Sequence, residues 1–141
     1  MLRSGRPEVP TFAPDESLYY RCNKAEVNGD ALLHSAIHIP CSSVNRGGGD
    51  FGPPDDVTVD YPGFGVARLF AGNMPAPVAV EGRKFDFRVA HVPMDDNYAH
   101  SEIRAYRDGK YNKNWRYKPA QVVTLQVSLS KKARVIVAPT V

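Results

Sequence analysis

Two histidines that flank an acidic segment are the residues of this sequence best suited to proton transfer. His91 and His100 enclose residues 95–97 (Asp-Asp-Asn), and Ser101 and Glu102 follow directly. Imidazole changes its charge near neutral pH, so histidine is the usual general acid or base. His91, His100 and Glu102 are therefore the predicted catalytic residues. Two histidines in one site could also cleave RNA without a metal, one removing the 2′-hydroxyl proton and the other protonating the leaving oxygen.

His91 also allows a structural interpretation. Residues 85–92 (FDFRVAHV) alternate, and His91 shares a face with Phe85, Phe87 and Val89. A histidine on that face could be hydrogen-bonded at the edge of the core. The Asp-Asp-Asn run could then simply form the turn.

Arg21 lies inside the apolar stretch SLYYRCN (17–23). Burying an unpaired charge is costly, so this arginine needs either a carboxylate or an anionic ligand. Residues 41–52 (CSSVNRGGGDFG) combine hydroxyls, an amide, an arginine and glycines, which can present N–H groups to phosphate. They lack the Gly-Lys-Ser/Thr of a Walker loop. The predicted substrate-binding residues are Arg21, Ser42, Ser43, Asn45, Arg46 and Asn97.

No metal site is predicted. Cys22 and Cys41 match no zinc-binding spacing, and we expect two buried, reduced thiols. His34 and His38 have the spacing of a metal pair on a helix, but they lack an intervening glutamate and lie among signals for extended chain. We interpret that spacing as accidental. No cofactor is predicted, and NAD is considered only as a substrate.

The elements that must position these residues are mostly strands. Short apolar or alternating runs bounded by turn residues predict strands at 17–23, 64–70, 85–92, 98–106 and 133–139. For residues 120–132, Pro119 and the terminal lysines favour a helix, whereas the alternation of Leu125, Val127 and Leu129 favours a strand. On these grounds we predict a helix for residues 120–132. The predicted fold is α+β, with a mostly antiparallel, curved β-sheet and one or two short helices.

Length and composition bound the organisation. The chain has 141 residues, 12 of them proline, and a net charge of +3. Three prolines make residues 1–16 an extended N-terminal arm, and residues 17–141 form a predicted single globular domain. Neither a signal peptide nor an apolar run of membrane-spanning length is present, so we expect a cytoplasmic protein without membrane contact.

Residues 104–118 (RAYRDGKYNKNWRYK) interleave basic and aromatic side chains. Such a mixture can clamp phosphates and stack bases. The alternative is a solvated hairpin tip followed by a loop whose aromatic rings cover the edge of the core.

Four segments, SLYYRCN, SSVNRGGGDFGPPDDV, FGVARLFAGNMP and AHVPMDDNYAHSEIRAY, resemble a family of small uncharacterised bacterial proteins. Members of that family carry an LYRR-like start, an SVN or SVD segment, a GVA strand and a D-P-x-x-D-N-x-A-H element. The resemblance spans roughly residues 17–106 and implies no particular function. The present sequence departs from the last element, with Val92-Pro93 where the family has Asp-Pro.

A second resemblance concerns chemistry. Arg21, Ser42-Ser43 and Glu102 follow the Arg–Ser–Glu order of ADP-ribosyltransferase-like proteins. That resemblance implies an arginine on the NAD phosphates, a serine segment at the nicotinamide pocket and a glutamate at the ribose. The sequence has His100-Ser101-Glu102 where those proteins usually carry Glu/Gln-x-Glu.

Three functional hypotheses follow. The first is a nucleotide- or NAD-directed enzyme of toxin or phage-defence type, with arginines on phosphates and His100 and Glu102 in proton or ribose chemistry. The second is a non-catalytic module that binds protein or nucleic acid. The third is a metal-free RNase that uses His91 and His100. Enzyme and module differ in whether Arg21, Ser43, His91, His100 and Glu102 share one cleft, and the oligomeric state is not predicted.

Overall fold

A computed structural model describes residues 5–48 and 51–141. In this part of the chain, nine strands form one antiparallel sheet, accompanied by one α-helix. The strands are β1 (Ser17–Cys22), β2 (Val27–Asn28), β3 (Ala31–Leu32), β4 (Cys41–Arg46), β5 (Gly65–Phe70), β6 (Val78–Val80), β7 (Arg83–His91), β8 (His100–Arg107) and β9 (Arg134–Val137), and helix α1 is Pro119–Ser130. Their order across the sheet is β2-β3-β9-β5-β1-β4-β8-β7-β6.

The two faces of the sheet have different environments. Side chains alternate along a strand, and Leu18, Tyr20 and Cys22 of β1 point to a face that is closed by Leu125 and Leu129 of α1. We call this the core face. The opposite face is only partly covered, and we call it the outer face.

Register places most of the predicted polar residues on the outer face. Arg21 alternates with the buried residues of β1, and Ser43 and Asn45 lie opposite Glu102 and His100 in the β4–β8 pair. Residues that are directly opposite each other in an antiparallel pair share a face. The three central strands β1, β4 and β8 therefore bring these five side chains to one side of the sheet.

The mixed, mostly β fold and its antiparallel strands are confirmed. Each predicted strand overlaps an observed one, and the segment at 120–132 is a helix that begins at Pro119, a residue favoured in the first helical turn. No strand was predicted at β2, β3, β4 or β6. Three of these, β2, β3 and β6, have only two or three residues, which is too short for a period to be recognised. The fourth, β4, has the mostly polar sequence CSSVNR, which contains no apolar run.

The last strand, predicted at 133–139, leaves its isoleucine exposed. Ile136 has 37% of its surface accessible. The register of β9 against β5 shifts at Val66 and Ala67, and Val135 packs against the core instead.

An Asp-Gly pair forms the turn of the hairpin after β8. Asp108 and Gly109 have positive φ angles of 51° and 80°, the conformation of a type I′ turn. The Asp108 side chain accepts hydrogen bonds from the Lys84 backbone N–H and from Arg83. These contacts hold the pKa of the Asp108 carboxyl below its usual range.

The N-terminal arm is described from Gly5 onward, and the first four residues of the predicted arm lie outside the described part of the chain. Residues 5–16 contain no strand or helix. They contact distant parts of the fold: Val9 donates a backbone hydrogen bond to His91, and Tyr98 donates to the Pro7 carbonyl. The arm is thus held against the sheet by contacts more than 80 residues away in sequence.

None of the helices described in residues 5–48 and 51–141 has the length and hydropathy needed to cross a bilayer.

Candidate functional site

A cleft of about 560 Å³ opens on the outer face of the sheet. Strands β1, β4 and β8 contribute to its lining, as do residues 56–64 and residues 94–97. It is lined by Tyr20, Arg21, Glu26, His38, Cys41, Ser43, Val44, Asn45, Asp56, Val57, Val59, Asp60, Tyr61, Phe64, Met94, Asp96, Asn97 and His100. Segments far apart in sequence therefore meet in one concave site.

Five predicted site residues line this cleft. They are Arg21 of β1, Ser43 and Asn45 of β4, Asn97 of the loop before β8, and His100 at the start of β8. The sequence left open whether Arg21, Ser43, His91, His100 and Glu102 share one cleft. Arg21, Ser43 and His100 do line the same cleft, whereas His91 and Glu102 do not.

His91 lies on the core face. It pairs with Ser101 across β7 and β8 and is 2% exposed. Its Nδ1 accepts the Val9 backbone N–H at 2.8 Å, so Nε2 must donate to the Tyr98 carbonyl at 2.7 Å. Both ring nitrogens are therefore occupied by structural hydrogen bonds, as the structural interpretation of this residue expected.

Arg46 is buried rather than open to a ligand. Its side chain is 2% exposed, and it forms an ion pair with Glu16 at 2.6 Å. The guanidinium also donates to the Val9 and Thr11 carbonyls. The phosphate contact predicted for Arg46 is not available in this arrangement, because its donors are directed to the arm.

Ser42 and Glu102 also lie outside the cleft lining. Ser42 is on the core face and closes a turn, in which its hydroxyl donates to the His38 carbonyl at 2.9 Å. Glu102 is on the outer face, where Arg104 donates to its carboxylate at 2.9 Å. The carboxylate predicted for ribose chemistry is thus engaged in an ion pair beside the cleft.

His100 has one ring nitrogen fixed and the other unengaged. Its Nδ1 is 2.9 Å from the Val92 carbonyl. A carbonyl can only accept, so Nδ1 donates and the neutral ring keeps its lone pair on Nε2. No described residue forms a hydrogen bond with Nε2. This is the arrangement expected of a general base.

Arg21 has an aromatic partner in place of a carboxylate. Its guanidinium carbon lies 3.4 Å from the centroid of the Tyr61 ring and 5.9 Å from that of Phe64. Among the described residues no carboxylate forms a salt bridge with it. Stacking on a ring leaves the edge of the guanidinium free to donate hydrogen bonds to an anionic group.

Asn45 contributes an unsatisfied donor. The Asn97 amide donates to Asn45 Oδ1 at 2.8 Å, and this bond fixes the orientation of Asn45. Nδ2 of Asn45 is buried without a hydrogen-bond partner among the described residues. Such a group costs about 1–3 kcal/mol, and a ligand acceptor could relieve that cost.

The acidic residues of the cleft were missed by the sequence analysis. Glu26, Asp56, Asp60 and Asp96 line it, and Arg21 is the only lysine or arginine among the lining residues. Asp56 and Asp96 belonged to segments that had been singled out, but none of the four was given a role. Glu26, Asp56 and Asp60 lie in loops and short helices, so proximity in the fold was the only signal that could have identified their place in the site.

Cys41 lines the cleft as a protonated thiol. Burial raises its pKa to about 11, and the neighbouring Glu102 carboxylate acts in the same direction. Burial and Cys41 likewise raise the pKa of Tyr111 to about 12. A thiol with this pKa is a poor nucleophile at neutral pH.

The spacing of His34 and His38 was interpreted as accidental. The two histidines share no helix, because the 3-10 turn His34–Ala36 ends before residue 38. His38 nevertheless lines the cleft. No group of three or more potential metal ligands occurs among the described residues.

No protein-family model, no curated protein and no solved structure matches the chain.

Proposed function

We propose that the cleft binds a nucleotide-like small molecule, with NAD as the first candidate. In this proposal His100 acts as the general base while the N-glycosidic bond between nicotinamide and ribose is cleaved. The observation that carries the proposal is the His100 ring, with Nδ1 held by the Val92 carbonyl and Nε2 unengaged in a cleft. A single base is sufficient for this reaction, because the nicotinamide of NAD leaves as a neutral molecule.

The charge of the cleft supports this choice of substrate. Four carboxylates and one arginine line it, a balance that disfavours a ligand which is anionic throughout. NAD carries a positive pyridinium ring, and the ribose gains positive charge as the bond to that ring breaks. Fixed negative groups stabilise such developing charge. In this proposal the carboxylates that line the cleft, and not Glu102, contact the ribose.

Arg21 and the amides would supply binding and orientation. The Arg21 guanidinium, stacked on Tyr61, is suited to a phosphate oxygen of the substrate. The unsatisfied Asn45 amide could donate to a carbonyl or ring nitrogen. Ser43 adds a hydroxyl on the same strand. The proposed site therefore retains all of the predicted substrate-binding residues except Ser42 and Arg46.

The reaction balances without a further reagent. His100 Nε2 takes a proton from water as the water oxygen bonds to ribose C1′. The bond from C1′ to the pyridinium nitrogen breaks, and its electron pair neutralises the ring. The products are nicotinamide, ADP-ribose and one proton, which His100 returns to solvent. Consumption of NAD would suit the toxin or defence role.

The test is the formation of nicotinamide and ADP-ribose from NAD by the purified chain. We expect equimolar products from the wild type. We expect His100→Ala to lower kcat about 10²–10⁴-fold and Arg21→Ala to act mainly on KM. The matched control is His34→Ala, which removes an exposed histidine outside the cleft.

Absence of both NAD turnover and NAD binding in the folded wild type would overturn the proposal. Binding without turnover would favour a non-catalytic module. The RNase hypothesis as stated loses its pair of histidines, because His100 lines the cleft and His91 does not.

A further inference from the structure

The structure assigns a second binding surface, for single-stranded nucleic acid, to residues 83–88 and 102–116. We call it the basic–aromatic surface. It comprises the ends of β7 and β8 and the hairpin that follows them. The inference is independent of NAD chemistry, because none of its residues lines the cleft.

Positive charge is concentrated on this surface. Its two segments contain eight lysines and arginines and three carboxylates, whereas the whole chain has a net charge of +3. The three carboxylates, Asp86, Glu102 and Asp108, each pair with one arginine. The remainder of the chain is therefore slightly acidic, and a polyanion would be drawn to this end of the sheet.

Three of the cations are exposed and have no acidic partner among the described residues. They are Lys110, Lys113 and Arg116. Lys110 directly follows the Asp108-Gly109 turn and pairs with Arg107. Lys113 and Arg116 lie further along, in the segment that leads to α1. Such residues can contact phosphates without first breaking an ion pair.

Aromatic rings lie between these charges. The guanidinium carbon of Arg107 is 4.0 Å from the Trp115 centroid, and Arg107 is opposite Phe85, on the core-face side of the sheet. That of Arg88 is 4.1 Å from the Tyr106 centroid, and Tyr106 is opposite Asp86, on the outer face. The surface therefore continues around this end of the sheet. Tyr106 and Tyr111 are in mutual contact, with centroids 5.7 Å apart. Half-buried rings beside cations provide stacking platforms for bases, whereas a ligand with charge alone would have no use for them.

The combination favours a single strand over other polyanions. In a duplex the faces of the bases are covered by their neighbours, so rings on a protein surface reach them only when the strand is unpaired. An acidic protein would match the charge but would not need the rings. We therefore assign the surface to unpaired RNA or DNA.

Fluorescence anisotropy of a labelled single-stranded RNA of about 12 nucleotides, within the usual site sizes, tests the assignment. We expect Lys113→Glu/Arg116→Glu to weaken binding. The same pair should lower the slope of log Kd against log salt concentration by about 1.4. The matched control, Lys131→Glu/Lys132→Glu, makes the same change of charge beyond the end of α1 and should bind as the wild type does.

Trp115→Leu separates stacking from charge. We expect this variant to lose about 5- to 150-fold in affinity, with the salt slope unchanged. Any of three results would overturn the assignment: no binding by the folded wild type at low salt, equal weakening in both charge-reversed pairs, or competition by polyphosphate or polyglutamate as strong as that by RNA.

Discussion

His91 and His100 lie on opposite faces of the same sheet. His91 is opposite Ser101 in the β7–β8 pair, and His100 is the residue before Ser101, so alternation turns the two imidazoles apart. One ring is buried against the N-terminal arm, and the other lines the cleft. A motif that looks like one site in the sequence therefore divides into a histidine with structural hydrogen bonds and a histidine that lines the cleft.

Alanine substitutions should separate these two roles. We expect His91→Ala to lower the free energy of unfolding by about 2–4 kcal/mol, because Val9 N–H and the Tyr98 carbonyl both lose a buried partner. His100→Ala should cost less than about 1 kcal/mol, since its one hydrogen bond is half-buried. Urea unfolding measures both. A larger loss in His100→Ala than in His91→Ala would contradict the assignment.

The ion pair between Arg46 and Glu16 should be among the most sensitive to substitution. Removing one partner of a buried pair costs about 3–5 kcal/mol, and these side chains are 2% and 12% exposed. We expect that loss in Glu16→Ala. Asp86→Ala is the matched control, because its partner Arg88 is 51% exposed and surface pairs contribute about 0–1 kcal/mol. Similar losses in the two variants would show that the arm is not closely held.

Both cysteines should react slowly with alkylating reagents in the folded protein. Burial raises the pKa of each thiol to about 11, against about 8.5 in an unfolded chain. At pH 8 the thiolate fraction, and hence the rate, should be lower by roughly a hundred-fold or more in the folded state. Comparison of rates with and without denaturant measures this. Equal rates would mean that the thiols are accessible and ionised.

The raised pKa values of Cys22 and Cys41 also predict how the stability of the protein changes at alkaline pH. The folded state keeps protons that the unfolded state releases above about pH 8.5. We therefore expect the melting temperature to fall as the pH rises from about 8.5 towards about 11.

Substitution of Asn45 should affect NAD binding much more than it affects the stability of the protein. The unpaired Nδ2 of Asn45 is a cost to the empty protein. Asn45→Val removes that group and places a β-branched residue in β4, but it also removes the Oδ1 that accepts from Asn97. We expect these effects to offset each other, so that the melting temperature is nearly unchanged while NAD binding is lost, measured by thermal unfolding and calorimetry. The control Asn112→Val changes an exposed asparagine outside the cleft. A destabilised Asn45→Val that still binds NAD would contradict the proposed role.

Local patterns predicted five of the nine strands, whereas the composition of the site depended on long-range contacts. Alternation in 85–92 placed His91 on the same face as Phe85 and Phe87, and these residues are buried together. Nothing near Arg46 indicated that its carboxylate partner would be Glu16. Ion pairs between distant segments leave no period in a sequence.

The cleft illustrates the same limit. Arg21, Ser43 and His100 could be selected as individual residues, because each is a polar group with a plausible chemical role. Their convergence depends on β4 lying between β1 and β8, an order that adjacency in the chain does not indicate. The acidic lining residues, such as Asp60, carried no signal until that order was known.

The return of the arm to the sheet has a consequence for the order of folding. Residues 7–16 are synthesised before the residues they contact, which include Arg46, His91 and Tyr98. Contacts of such separation form late, because a long loop must close before they contribute. Until these contacts form, the Arg46 guanidinium must remain hydrated or temporarily paired. A segment made before its partners is thus among the last to acquire its native neighbours.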